Sequence, residues 1–248
     1  MSKINIDRIV KDIKSKTTSL TPVIEAVCNS IDAIGPERTD GVIDIIVKRT
    51  GQRSLNLDNT HTLSDIVSID IVDNGIGFTE ENKDSFDTYR SGFKMSKGGK
   101  GFGRFMYLKY FNNVSIESVF REGDKYKQRS FTFGHADEII ENEQIIDLES
   151  NPDLHTGTVL HLSSIKSFDL DKGLEVIARK LVERLLVFFV TGGKYTPIIT
   201  IKEEDDSNSI VLNDYIGENS DIQQIGKEEN FTIKGRENEW DFVVKIYK

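Results

Sequence analysis

The chain has 248 residues, 37% hydrophobic and 29% charged, with 19 Gly and 4 Pro, which excludes wholesale disorder and collagen-like repeats. Its single cysteine, Cys28, excludes a disulfide framework and a cysteine-built zinc cluster, and fits a reducing cytosol. Thirty-two basic against 41 acidic residues leave a net charge of −9, which argues against a broad nucleic-acid surface on this stretch of chain. No apolar run approaches the roughly 20 residues that span a bilayer, and the opening MSKINIDRIVKD lacks the apolar stretch of a signal peptide. A cytoplasmic protein with no membrane partner is expected.

Ile6, Ile9, Val10 and Ile13 recur at helical spacing and predict a short amphipathic helix over the first fifteen residues. A second helix follows over 22–34, with Thr21 as its expected N-cap, Pro22 in the first turn and Gly35-Pro36 as its stop. Ile24, Val27, Cys28, Ile31 and Ile34 make its apolar stripe. Val42–Val47 reads as a buried strand. Ile66–Val72 alternates, with Val67, Ile69 and Ile71 on one face and Asp73 next on it. Residues 79–103 hold neither period and predict a long loop, of the kind that is usually functional. Arg104–Phe111 predicts a short helix, and 114–120, 128–133, 143–148 and 157–162 predict antiparallel strands. Leu174–Val190 is an apolar helix and Pro197–Ile201 a strand. The charged stretch Lys202–Ser209 marks the expected boundary between a domain at 1–202 and an extension at 203–248 with strands near 231–234 and 241–247. That extension reads as an edge addition or as the start of a second domain.

Three features carry chemistry. In the helix at 22–34, Glu25, Asn29 and Asp32 stand at i, i+4 and i+7, either as a solvated face or as a set able to hold a hydrated metal ion. In Asp73-Asn74-Gly75-Ile76-Gly77-Phe78 a carboxylate closes a strand, and two glycines let backbone approach a flat ligand. The plain alternative is an Asn-Gly hairpin, but no alternating strand returns. Thirdly, Thr88–Tyr110 holds Arg90, Lys94, Lys97, Lys100, Arg104 and Lys109 with no acid, and Gly98, Gly99, Gly101 and Gly103 precede a helix start. Such a segment is a phosphate cradle or a basic loop. It is no Walker loop, since Gly99-Lys100 is followed by Gly101, and no dinucleotide fingerprint, since Met106 stands where the third glycine belongs. Protein-kinase motifs, a serine elbow and a zinc spacing among His61, His135, His155 and His161 are all lacking.

In this order the blocks resemble the GHKL superfamily, the ATP-binding domains of gyrase B, the large heat-shock chaperone, histidine kinases and MutL. Glu25-Ala26-Val27-Cys28-Asn29-Ser30-Ile31-Asp32-Ala33 is similar to the N box. Asp73-Asn74-Gly75-Ile76-Gly77 is similar to the D-x-G-x-G box, and Gly98-Gly99-Lys100-Gly101-Phe102-Gly103-Arg104 to the glycine-rich lid. Gly157-Thr158-Val159-Leu160 is similar to the last conserved strand. The resemblance covers roughly residues 15–202.

The resemblance implies the Bergerat, or histidine-kinase-like ATPase, fold. This is a two-layer α/β (α+β) sandwich with helices on one face of a mixed, mostly antiparallel sheet. It implies ATP and Mg²⁺ as ligands, ADP as product, an ATP-dependent homodimer, and an ATPase module of a larger protein. By the same resemblance Asp73 accepts the adenine amino group, with Gly75 and Gly77 beside it, and Thr158 assists through a water. Asn29 holds Mg²⁺, with Asp32 in the same nucleotide-binding set. Gly99, Lys100, Gly101, Phe102 and Gly103 close over the phosphates, and Glu25 is the general base. Glu25 and the Asp32-Ala33 ending look like the hydrolysing branch. The alternatives are a non-hydrolysing nucleotide-dependent interaction module and a histidine-kinase-type phosphotransfer domain. A following domain supplies a lysine in the hydrolysing families. Lys194, in Thr191-Gly192-Gly193-Lys194, is a candidate substitute for it but reads as loop punctuation.

Overall fold

The computed structural model describes residues 6, 10–11, 17–51, 63–87, 105–134, 138–149, 151–166, 170–192, 195–217, 220–234 and 239–248. Of the expected N-terminal helix only Ile6, Val10 and Lys11 are described, all three helical. Helix α1 spans Thr21–Ile34, with Pro22 in its first turn and Gly35 at φ 84° returning its N–H to the Ile31 carbonyl. The cap differs from expectation. Leu20 occupies the N-cap, and Thr21 Oγ1 instead accepts the Thr18 N–H at 3.0 Å. The buried face is Val23, Ala26, Val27, Ser30 and Ile34, with Ile24, Cys28 and Ile31 packed at its margin. It is rotated by about one residue from the apolar stripe, because the Ser30 hydroxyl is drawn inward to a carboxylate.

Strands β1 (Val42–Arg49), β2 (Ile66–Asp73), β3 (Phe111–Glu122), β4 (Lys125–Phe133), β5 (Ile140–Leu148), β6 (Gly157–Ile165), β7 (Ile198–Glu203) and β8 (Ser209–Val211) form one mixed sheet. Its order is β5-β4-β3-β6-β2-β1-β7-β8. Every neighbouring pair is antiparallel except β1 with β7. The protein is thus a mixed α/β fold with a largely antiparallel sheet. The β1–β2 ladder slips between Lys48 and Arg49, so Arg49 pairs with Ile66 and Val67 is passed over. That bulge brings Ile66 into the core where alternation alone predicts Val67, which is only half-buried.

One face of the sheet is apolar. Across it run rows such as Ile45, Ile71, Leu160, Ile116 and Phe131, one from each of five adjacent strands. All five are buried, and burying such a side chain contributes about 1.5–3 kcal/mol. Helix α1 packs on β1 and β2 of this face, and α4 (Leu174–Gly192) packs on β7, β8 and α1. Leu174, Ile177, Ala178, Leu181, Val182 and Leu185 are the buried stripe of α4. Helices α2 (Glu80–Asp87) and α3 (Phe105–Tyr110) meet the same face through Phe86 and Tyr107, which both pack on Phe133 of β4. The opposite face carries an ion-pair network, with Lys48 and His161 on Asp70, and Lys202 on Asp44.

Helix α2 corrects the expected loop over 79–103. Thr79 Oγ1 accepts the Asn82 N–H at 3.2 Å, Asn82 Nδ2 donates back to the Gly77 carbonyl at 2.8 Å, and Glu80 and Glu81 fill the first turn. The remainder of that stretch, 88–103, lies outside the described residues.

The expected boundary at residue 202 falls within β7. Edge strand β8 and the buried Leu212 of a following 3₁₀ turn (Leu212–Tyr215) complete this sheet and core. Beyond them β9 (Gln224–Lys234) and β10 (Glu239–Tyr247) pair, among the described residues, only with each other. Among the described residues no helix is long and apolar enough to cross a membrane.

Candidate functional site

The register of the sheet places one polar row at the edge of the apolar face. Asp73 of β2 pairs with Thr158 of β6, Thr158 with Ser118 of β3, and Ser118 with Arg129 of β4. All four are buried, Asp73 to 8% exposure and Arg129 to 0%. Four polar side chains in line on a core face need partners, because an unpaired buried polar group costs about 1–3 kcal/mol.

Asp73 finds them locally. Its Oδ2 accepts the Ser30 hydroxyl at 2.8 Å, and its Oδ1 accepts the Gly75 N–H at 2.9 Å. Burial pushes the Asp73 carboxyl above the usual carboxylate range, opposed by the Gly75 N–H, Ser30, the Thr158 backbone N–H and the Arg38 charge. Ser118 links the other strands. Its Oγ donates to the Gly157 carbonyl at 2.9 Å, accepts the Phe78 N–H at 2.8 Å and lies 3.2 Å from Thr158 Oγ1.

The segment after Asp73 forms no hairpin; it folds across the end of α1 and enters α2. Asn74 pins it, its Oδ1 accepting the Val42 N–H at 2.9 Å and its Nδ2 donating to the Asp40 carbonyl at 2.8 Å. Arg38 holds the Asn74 carbonyl from outside. Both glycines are needed because protein approaches them, a closer reason than the flat ligand the sequence suggests. A Cβ on Gly75 would lie 2.8 Å from the Ala33 methyl. Gly77, at φ 77°, has the Val119 carbonyl where its Cβ would be. The Ile76 N–H donates to the Ala33 carbonyl at 3.1 Å, so this loop and the last turn of α1 form one unit.

Arg129 braces the far end. Its Nη1 donates to the Phe78 carbonyl at 2.6 Å and the Thr79 carbonyl at 3.1 Å, and its Nη2 pairs with Glu80. Its guanidinium lies over the Phe120 ring, 4.9 Å from the centroid. Nε stands 3.0 Å from Glu143 Oε1 but without hydrogen-bond alignment, so the three carbonyl and carboxylate contacts of the Nη atoms are what hold it.

On α1, Ser30 faces the sheet, while Asn29 and Asp32 are exposed and Glu25 is half-buried. Asn29 Nδ2 donates to the Tyr107 hydroxyl at 3.0 Å. The structure therefore brings Asp73, Gly75, Gly77 and Thr158 together through Ser30, Ala33 and Ser118, while Asn29 lies next to Ser30 on α1 and turns to Tyr107, with Glu25 one turn before it on the same helix. Gly98, Gly99, Lys100, Gly101, Phe102, Gly103 and Arg104 lie outside the described residues, as does Lys194.

Ser30, Ser118, Arg129 and Tyr107 were not among the candidates. A signal exists for two of them. Ser118 interrupts the apolar series Val114, Ile116, Phe120, and Arg129 precedes Phe131 and Phe133 in another. A polar residue standing in the buried phase of a strand marks a partnered site. No local pattern points to Tyr107.

An amide oxygen is a ligand type that hard cations accept. Asn29 offers one neutral amide oxygen, and the described residues contain no cluster of three or more His, Cys, Asp or Glu. No protein-family model matches the chain, and no curated protein matches it.

Proposed function

We propose that this chain binds ATP with Mg²⁺ and hydrolyses it, using the cycle to switch conformation and to dimerise. The observation that carries the reading is the buried Asp73 carboxylate, held on one side by Ser30 and Gly75 and flanked by the Thr158 and Ser118 hydroxyls. A fixed, desolvated acceptor beside hydroxyl groups is what recognition of an amino-bearing base edge requires. Asp73 would accept the exocyclic amino group, and Thr158 would bind the ring edge through a water. Asn29 and Asp32, exposed on α1, would meet the phosphates, Asn29 holding Mg²⁺ by its amide oxygen. Mg²⁺ would neutralise charge on the phosphates and on the developing transition state. Glu25, one turn before Asn29, would orient the attacking water and take its proton. Gly99, Lys100, Gly101, Phe102 and Gly103 would enclose the phosphates by backbone N–H groups and one ammonium.

Turnover tests the hydrolytic half of the reading. Glu25→Ala is expected to bind Mg²⁺-ATP within about threefold of wild type and to lose at least roughly 100-fold in hydrolysis, the lower range for a general base. A variant that retains its turnover removes Glu25 from that role, and wild type that binds but never hydrolyses leaves a nucleotide-dependent interaction module.

A further inference from the structure

Strands β9 and β10 make a two-stranded ribbon whose faces differ. Phe231 and Ile233 of β9 and Phe242, Val244 and Ile246 of β10 alternate onto one face, and Ile225 joins them across from Ile246. All six are exposed, between 38% and 60%. Within this face the Phe231 and Phe242 rings stack, centroids 5.6 Å apart at 19°. The other face is polar and carries its own partners. There Lys245 pairs with Glu228 at 2.7 Å, and the Thr232 hydroxyl donates to Asp241 at 2.6 Å. A ribbon of two strands is at best marginally stable in water and needs a cover on its apolar face. Among the described residues nothing closes over this one, since all six side chains stay exposed.

Charge and area select the occupant. The two strands hold three lysines against four acids, a net of −1 in a chain of −9. A ribbon so close to neutral neither draws a strongly charged partner nor repels its own copy. Glu229, across from Val244, is the one charge paired into the apolar rows, and it is exposed. Six large side chains, about half exposed, offer roughly 500 Å². Two such faces together bury on the order of 1,000 Å², about what a specific interface requires. Twisted ribbons of this kind stack about 10 Å apart with their inner side chains interdigitated.

We infer that this face is a self-association surface: two copies of the chain pack β9–β10 ribbon on ribbon, face to face about a twofold axis, and do so without nucleotide. A twofold axis lets the same patch serve both copies. The inference is independent of the nucleotide reading, because the ribbon lies beyond residues 15–202 and uses none of the site's side chains.

The test is sedimentation equilibrium of the full chain in EDTA without nucleotide. At roughly 50 μM wild type should approach twice the 28.1 kDa of one chain. Phe231→Ser combined with Phe242→Ser should raise the dissociation constant at least roughly tenfold and return the mass toward one chain. Val243→Ser, exposed on the polar face, should leave the dimer intact. The main sheet of both variants should melt within about 3 °C of wild type, which separates loss of the dimer from unfolding. The inference is overturned by a wild type that stays at the mass of one chain, or by a dimer that survives the paired serines. It is overturned equally by a dimer that Val243→Ser dissolves, or by one that forms only when Mg²⁺-ATP is added. The last of these leaves the nucleotide-driven dimer of the proposed function standing.

Discussion

The Ser30 hydroxyl donates to Asp73 Oδ2 at 2.8 Å, a buried bond between residues 43 positions apart in the sequence. It fastens α1 to the end of β2 and fixes the helix's rotation, so that Ser30 turns inward and its neighbour Asn29 turns out toward Tyr107. One contact therefore sets both the buried acceptor and the exposed amide of the site. The Ile76–Ala33 backbone bond repeats the connection one turn on.

Arg129 is expected to be a stability residue of the site's frame. Arg129→Ala removes a fully buried side chain, leaves a cavity, and strands the Phe78 and Thr79 carbonyls. The cost should be about 3 kcal/mol or more, roughly 6–12 °C for a chain of this length. Arg129→Met, which restores volume, should recover part of it. Thermal denaturation checks both, and an alanine variant as stable as wild type would contradict the brace.

Gly77 and Gly123 separate backbone strain from contact. Both have positive φ, 77° and 61°, but nothing lies within 4 Å of a Cβ on Gly123, while Gly77 faces the Val119 carbonyl. Alanine at Gly123 should cost about 1–2 kcal/mol, the left-handed penalty alone. Alanine at Gly77 should cost clearly more, because the Asp73 loop must also move off β3. Equal losses in chemical denaturation would mean that the loop does not need this approach.

The ion pair on the outer face gives a pH signature. His161 Nδ1 lies 2.9 Å from Asp70 Oδ1, and that hydrogen bond raises the His161 pKa above 6.5, against the opposing effect of its own burial. A raised folded-state value means stability fully present below pH 6.5 and lost as pH climbs through the higher folded value. Asp70 runs the other way. Its desolvation is outweighed by the His161 and Lys48 bonds, which hold its pKa below 3.8, so its contribution is lost only as pH falls through that lower value. Between pH 6 and 9 wild type should therefore lose up to about 1 kcal/mol, the scale of a partly exposed pair, and His161→Gln should lose less. Parallel urea curves across that range for the two proteins would refute the pairing.

The strand series and the long helices were legible because apolar period is a strong signal: Val42–Val47, the alternation at Ile69 and Ile71, and Leu174–Val190 all sit where the pattern puts them. Failures came where a local partner outweighed the pattern. Helix α2 has few apolar residues, and its stability comes from the Thr79–Asn82 cap and the packing of Phe86. At β2 the bulge moved Ile66 inward in place of Val67, and a slipped ladder leaves no trace in one strand's own sequence. On α1 the buried face followed Ser30 and Asp73 over the most apolar stripe. Asp73, Gly75 and Gly77 were readable as one motif because a carboxylate closing a buried strand and two glycines after it leave few alternatives, while Thr158 joined them only through the family resemblance. Tyr107 and Arg129 act across 78 and about 50 residues, beyond the reach of any local pattern.

The most direct test of the account is the melting temperature of wild type and of Asp73→Asn, each with and without Mg²⁺-ATP. Asparagine keeps the volume and an acceptor for the Gly75 N–H but loses the carboxylate. At 100 times its dissociation constant the ligand should stabilise wild type by about 2.7 kcal/mol, a rise of roughly 5–10 °C. The account predicts that rise in wild type and its disappearance in Asp73→Asn, with the ligand-free proteins melting close together. No rise in wild type, or the same rise in both, would contradict the assignment of Asp73 as the base-recognising group.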